Sequence, residues 1–272
     1  MLKDITLGQF FPGNTIVHRL DPRVKLILTL VYITALFLAR GLFAYLLMFV
    51  ILMTCLTLSK IGPKAVFRGL KPVFIIILIT VVLNVFFIIG DTVLFEWRFI
   101  VITREGLLSA AFMASRLIML IIGTFLLTYT TSPIALTDGL EQILSPLKKI
   151  GLPIHELAMM MSIALRFIPT LIEETDKIMS AQKSRGADFD SGGLIARAKS
   201  VIPLIIPLFI SAFRRADELA TAMESRCYHG GEGRTRMKVL KAKWQDHVAV
   251  LLSAAVIAAV ILLRNTPIGQ IY

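Results

Sequence analysis

Asp176-Lys-Ile-Met-Ser-Ala-Gln-Lys-Ser184-Arg185-Gly186 returns, 41 positions later, as Asp217-Glu-Leu-Ala-Thr-Ala-Met-Glu-Ser225-Arg226-Cys227. Both copies read Asp-x-(Ile/Leu)-x-x-Ala-x-x-Ser-Arg, and both stand at the end of a helical pattern. Ahead of the first, Ile168, Leu171, Ile172, Thr175, Ile178, Met179 and Gln182 keep one helical face, opposite Glu173, Glu174, Lys177 and Lys183. Ahead of the second, Leu208, Ala212, Ala216, Leu219, Ala220 and Met223 face away from Arg214, Arg215, Asp217, Glu218 and Glu224. Arg214 and Glu218 are four apart, at ion-pair spacing within a helix. Helices of this kind are too charged at their far ends to span a bilayer. They lie along or under a membrane, or pack on one another.

The rest of the chain supplies the membrane. Apolar residues make up 56% and charged residues 17% of the 272, and mean hydropathy is +0.79. A soluble domain is about half apolar and a quarter charged, so the chain reads as a polytopic membrane protein. Its net charge of +11 sits mostly beside apolar runs, which argues for basic membrane loops and against a nucleic-acid partner. Five spans are expected, at 24–39, 42–58, 73–89, 105–129 and 247–263. Asp21-Pro22 starts the first, with Asp as cap and Pro at the first helical position. Strand-forming residues at 93–101 predict a short hairpin or interfacial excursion, with Trp97 at the interface.

The connection 59–71 has Lys60, Lys64, Arg68 and Lys71 and no acid. Basic loops stay inside, so the N-terminus is expected in the cytoplasm and the C-terminus outside. Three sections follow: an entry with four spans (1–131), a cytoplasmic section (132–246), and a last span with a short tail (247–272). The cytoplasmic section is expected to hold three amphipathic helices, near 134–150, from about 155 for some thirty residues, and from about 194. Residues 186–193 form a loop between the last two, and a basic tail at 234–243 suits an anionic inner leaflet. The fold class is therefore all-α, with about five transmembrane helices and three amphipathic cytoplasmic ones.

Taken singly, Arg185 or Arg226 needs only helix-dipole chemistry, since a cation in the last turn gains ~0.3–1 kcal/mol from the carbonyl end. Taken together, two matching ends point to two matching sites on a partner. Arginine suits such docking because its planar fork meets carboxylates or carbonyls bidentately. Arg116 falls inside the fourth span, where a charge marks a functional site or reaches for a headgroup. Asn84 is a weaker case of the same kind. Glu173, Glu174 and Asp176 read most simply as a solvated face, and Met159–Met161 as packing or an adaptable docking surface. Cys55 and Cys227 give no disulfide framework, and the four histidines give no ligand spacing. No phosphate loop, zinc-protease motif or nucleophile elbow is present. No catalytic residue, cofactor or metal ligand is expected, and any energy source belongs to a partner.

Gly8-Gln-Phe-Phe-Pro12-Gly13, then His18-Arg-Leu-Asp-Pro-Arg23-x-Lys25, then four spans and two arginine tripeptides, resembles the transmembrane T component (EcfT) of energy-coupling factor transporters over essentially the whole chain. The resemblance implies a non-catalytic scaffold in a bacterial cell membrane. It would join two ABC-type ATPases (EcfA and EcfA' type), which bind the ATP, to a substrate-binding S component for a vitamin or other micronutrient. It implies that Ser184-Arg185-Gly186 and Ser225-Arg226-Cys227 are the tips of two coupling helices, each seated on one ATPase. The family form is close to Ala-Arg-Gly. Cys227 stands where Gly is usual and is less free to turn left-handed, so the second tip is expected to differ in shape. The entry motif leans toward the shared, multi-vitamin type. The alternative is an independent membrane transporter or enzyme built on Arg116 and the acidic face at Glu173 and Glu174.

Overall fold

Pro22 opens the first long helix as the sequence requires, and the elements follow in chain order from there. A computed structural model of the chain describes residues 10–88, 92–97, 100–187, 189, 193–230 and 240–265. Gly8 and Gln9 of the entry motif, part of the 186–193 loop, the tail at 234–239, the C-terminal residues 266–272 and the side chain of Trp97 lie outside the described residues.

A single turn, α1 (Ile16–Arg19), precedes α2 (Pro22–Leu38) and α3 (Leu42–Ser59), with Gly41 at φ 80° in the turn between them. Then come α4 (Pro63–Leu70), a 3₁₀ turn at Lys71–Val73, and α5 (Phe74–Phe87). The expected hairpin forms, with β1 (Val93–Trp97) antiparallel to β2 (Ile100–Thr103) and Trp97 opposite Ile100. Thr103 caps α6 (Arg104–Thr130) by accepting from the Gly106 amide at 3.2 Å. After it run α7 (Pro133–Leu144), a 3₁₀ turn at Ser145–Ile150, α8 (Ile154–Ser184), α9 (Leu194–Glu224) and α10 (Trp244–Asn265). The fold is all-α apart from the hairpin.

Two boundaries differ from the sequence reading. The basic connection 59–71 is largely helix, because Pro63 sits at the first position of α4, where its missing amide is harmless. The helix expected at 134–150 stops at Leu144. Pro146 cannot donate to the preceding turn, so the chain tightens into 3₁₀ there.

The chain divides into two compact units, residues 8–139 with 240–272, and residues 1–7 with 140–239. The first is the membrane bundle. Ala35, Leu36, Ala39, Ala44, Met48 and Val260 are essentially solvent-free, and they join α2, α3, α6 and α10. Gly123 lets Tyr32 approach so closely that a Cβ there would lie 2.5 Å from the ring, the small-residue packing of membrane helices. Outward faces stay apolar: Phe74, Ile75, Ile76 and Ile79 of α5 are all more than half exposed. A helix apolar all round belongs in lipid. Five described helical segments are long and apolar enough to cross a membrane. They are not the expected five. α2, with 17 residues, falls just short, and α8, read as amphipathic, qualifies through its apolar first half.

The second unit contains α8 packed on α9. Glu174 of α8 accepts from the Ser211 hydroxyl (2.7 Å) and the Arg215 guanidinium (2.6 Å) of α9. Behind them, His155 at the start of α8 meets Glu141 of α7 at 3.0 Å.

Candidate functional site: two matched helix ends

Both Ser-Arg sequences end their helices with the same hydrogen-bond ladder. At the first, Gly186 turns left-handed at φ 89°. Its amide donates to Lys183 O (3.0 Å), and the Ala187 amide reaches back to Gln182 O (3.0 Å). At the second, Cys227 turns left-handed at φ 57°. Its amide donates to Glu224 O (2.8 Å), and the Tyr228 amide reaches back to Met223 O (3.1 Å). Every donor and acceptor in one ladder is 41 residues from its counterpart. This is the Schellman closure, a left-handed residue flanked by two bonds that satisfy the last carbonyls. The expected difference in shape is therefore overturned. Cys227 takes the glycine conformation because two backbone bonds hold it there.

What the ladders present is also matched. Ser184 Oγ bonds Ser180 O (3.1 Å) and Ser225 Oγ bonds Ala222 O (3.0 Å), so neither hydroxyl competes for the surface. Ser184, Arg185, Gly186, Ser225, Arg226 and Cys227 are all exposed. Among the described residues neither guanidinium meets a carboxylate. Each end thus offers one exposed arginine without a carboxylate partner among the described residues.

The entry motif holds the bundle together. Asp21 caps α2, accepting from the Arg23 amide (2.9 Å) and from its guanidinium (2.8 Å). Burial works to raise the Asp21 carboxyl, yet the bonds from Arg23 outweigh it and hold the group below its ordinary value. Arg23 also reaches Leu240 O (3.1 Å). The buried Lys25 ammonium donates to His18 O (3.1 Å) and Thr130 O (2.9 Å), tying the entry and the end of α6 to α2. Asp246, 2% exposed, accepts from the amides of Asp21 (2.8 Å) and Lys243 (2.7 Å). Sequence reasoning passed over Asp246. A lone carboxylate in the first turn of the last span, three after Lys243, was the available signal.

The remaining candidates fall apart as a site. Arg116 lies with its guanidinium carbon 5.9 Å from the Phe37 ring centre and 5.6 Å from that of Tyr45. This is a cation–π setting, and its buried Nε has no hydrogen-bond partner among the described residues. Glu174 is engaged within its own helix pair, and Glu173 is exposed. Asn84 turns back on its own helix, donating to Thr80 O (2.8 Å). No cluster of three or more potential metal ligands occurs among the described residues.

A family described as cobalt transport protein matches residues 13–237. The chain is 56% identical over 265 residues to the energy-coupling factor transporter transmembrane protein EcfT of Clostridium kluyveri, covering 97% of this chain and 98% of that one. The protein of the same name from Ruminiclostridium cellulolyticum is 54% identical over 264 residues, and that of Lactococcus lactis 45% over 262. These alignments cover 97% and 96% of this chain, and 98% of each relative.

Proposed function

The chain belongs to the energy-coupling factor transmembrane (EcfT) family, within the broader cobalt transport protein family, and on that premise we propose its role as a mechanical scaffold. It is a multi-pass membrane component of an energy-coupling factor transporter. It joins two ABC-type ATPases to a substrate-binding S component and catalyses nothing itself. One observation supports this reading above the others: two helix ends with matching closure, each presenting an exposed arginine. Two equal plugs fit a partner with two equal sockets, as a twofold pair of ATPases offers. Arg185 and Arg226 make the contact, flanked by Ser184 and Gly186, and by Ser225 and Cys227.

Transport would follow from motion of the tips. ATP binding closes the ATPases, and α8 and α9 transmit the change because each is a continuous helix of 31 residues. Ile202, Ile205, Phe209 and Phe213 leave α9 with a broad exposed apolar face, each more than half exposed. A face of that size marks an interaction surface, and the S component is its partner in this reading. The S component, not this chain, selects the vitamin or other micronutrient. The tips and basic loops lie in the cytoplasm of a bacterial cell. A self-contained transporter using Arg116 and Glu173/Glu174 has less support, since Arg116 faces two rings and Glu174 is bound to Ser211 and Arg215.

The test is substitution of Arg185 and Arg226 by Ala, singly and together. ATPase co-purification and ATP-dependent vitamin uptake should fall with each single change and be lost in the double variant. Unchanged assembly and transport in the double variant would overturn the docking role.

A further inference from the structure

Beside the entry motif the membrane bundle holds two adjoining cavities that the scaffold role leaves unused. One, of about 700 Å³, has mixed walls in which Asn14, Thr15, His18 and Lys60 stand among apolar residues such as Phe11 and Ile61. The other, of about 550 Å³, runs between α2, α3, α6 and α10 and is walled by side chains such as Leu28, Val31, Leu127, Val248 and Leu252. Ile16 and Leu58 stand in both walls, so the two cavities meet there. A chamber that carries a lysine and several hydrogen-bonding side chains, joined to an apolar slot, has the outline of a lipid.

Depth and charge narrow the occupant. Along α10 the apolar slot extends from Trp244 to Val256, about 18 Å at the α-helical rise. One leaflet of hydrocarbon is about 15 Å. Among the described residues neither wall contains Asp or Glu. Lys25 is committed to His18 O and Thr130 O, but Lys60 is exposed. Lys60 is thus the one cation in the chamber wall without an acid beside it in that wall, among the described residues. We infer that the paired cavities bind one anionic phospholipid, with an acyl chain in the slot and the phosphate headgroup at Lys60.

The full chain in phosphatidylcholine nanodiscs tests this with trace photoactivatable phosphatidylglycerol, beside the same probe built on phosphatidylcholine. The anionic probe should label peptides from 50–60 and 244–256, in preference to the zwitterionic one. Lys60→Asn, which keeps a residue tolerant of the left-handed backbone at φ 54°, should reduce that preference roughly fivefold. Ala249→Phe, which fills the slot, should lower labelling by both probes. Equal labelling by the two lipids, or a preference untouched by Lys60→Asn, would overturn the site. So would loss of all labelling on adding a membrane partner, which would make the slot a protein interface. Lys60→Asn alters only an exposed side chain, so it remains informative if Ala249→Phe fails to fold.

Discussion

Gly186 and Cys227 occupy the same backbone position in two copies of one motif, and they differ in what that position costs. A side chain in the left-handed region is disfavoured by about 1–2 kcal/mol, a penalty glycine escapes. Among the described residues, chain neighbours aside, no atom lies within 4 Å of where a Cβ on Gly186 would stand, so the backbone penalty dominates its replacement. Gly186→Ala is accordingly expected to destabilise by about 1 kcal/mol and Cys227→Gly to stabilise by a similar amount. Thermal unfolding in detergent would measure both, and shifts of the same sign would contradict the shared closure. Asp21 gives a second test at this scale. Its folded value is held below the ordinary one by Arg23, so its charge stabilises the fold above the ordinary carboxylate range. That stability is lost as pH falls through the folded value. Asp21→Asn keeps a capping side chain but removes the charge, so its stability should vary less with acid pH than that of the parent. The cap itself was legible, since Asp-Pro before an apolar run has a local cause. Its partner Asp246 was not, because 225 residues separate the two and no periodicity links them.

Helical period identified the faces of α8 and α9 but not which residues would bond across them. Within α9, spacing pointed to Arg214 with Glu218. Instead Arg215, one position further round, bonds Glu174 of α8 and leaves Arg214 to solvent. Crossing geometry between two helices decides that choice, and a single strand of sequence does not contain it. The pair is partly exposed, with 37% and 23% of the side chains accessible, so screening should keep its contribution small. A double-mutant cycle of Glu174→Gln and Arg215→Gln should give a favourable coupling that weakens as salt is raised. A coupling indifferent to salt would mean that packing, not charge, joins the helices there. Helix ends were read less well than helix bodies for a related reason. Pro63 and Pro146 were visible as breakers, but one opened a helix and the other turned one into 3₁₀. The outcome depended on whether the missing amide fell at a helix start or inside a turn.

For the whole molecule, composition alone decided that the chain lives in a membrane, because no soluble core could cover so much apolar surface. The proposed orientation follows from the basic and acid-free stretch between α3 and α5. If that stretch is inside and α8 does not cross the membrane, the exposed Cys227 is inside too, at the tip proposed to dock an ATPase. Cys55 provides the contrast, half-buried in the wall of the apolar slot. A membrane-impermeant maleimide should therefore label the chain in inside-out vesicles and leave right-side-out vesicles unmodified. Labelling should persist in Cys55→Ser and vanish in Cys227→Ser. Modification from the outer face would reverse the orientation and remove both tips from the ATP side. Adding the ATPase pair before the maleimide extends the test to assembly. A seated tip buries the thiol beside Arg226, so the rate should drop in the parent and recover in Arg226→Ala. A rate indifferent to the ATPases would show that the second helix end stays free even though its closure matches the first.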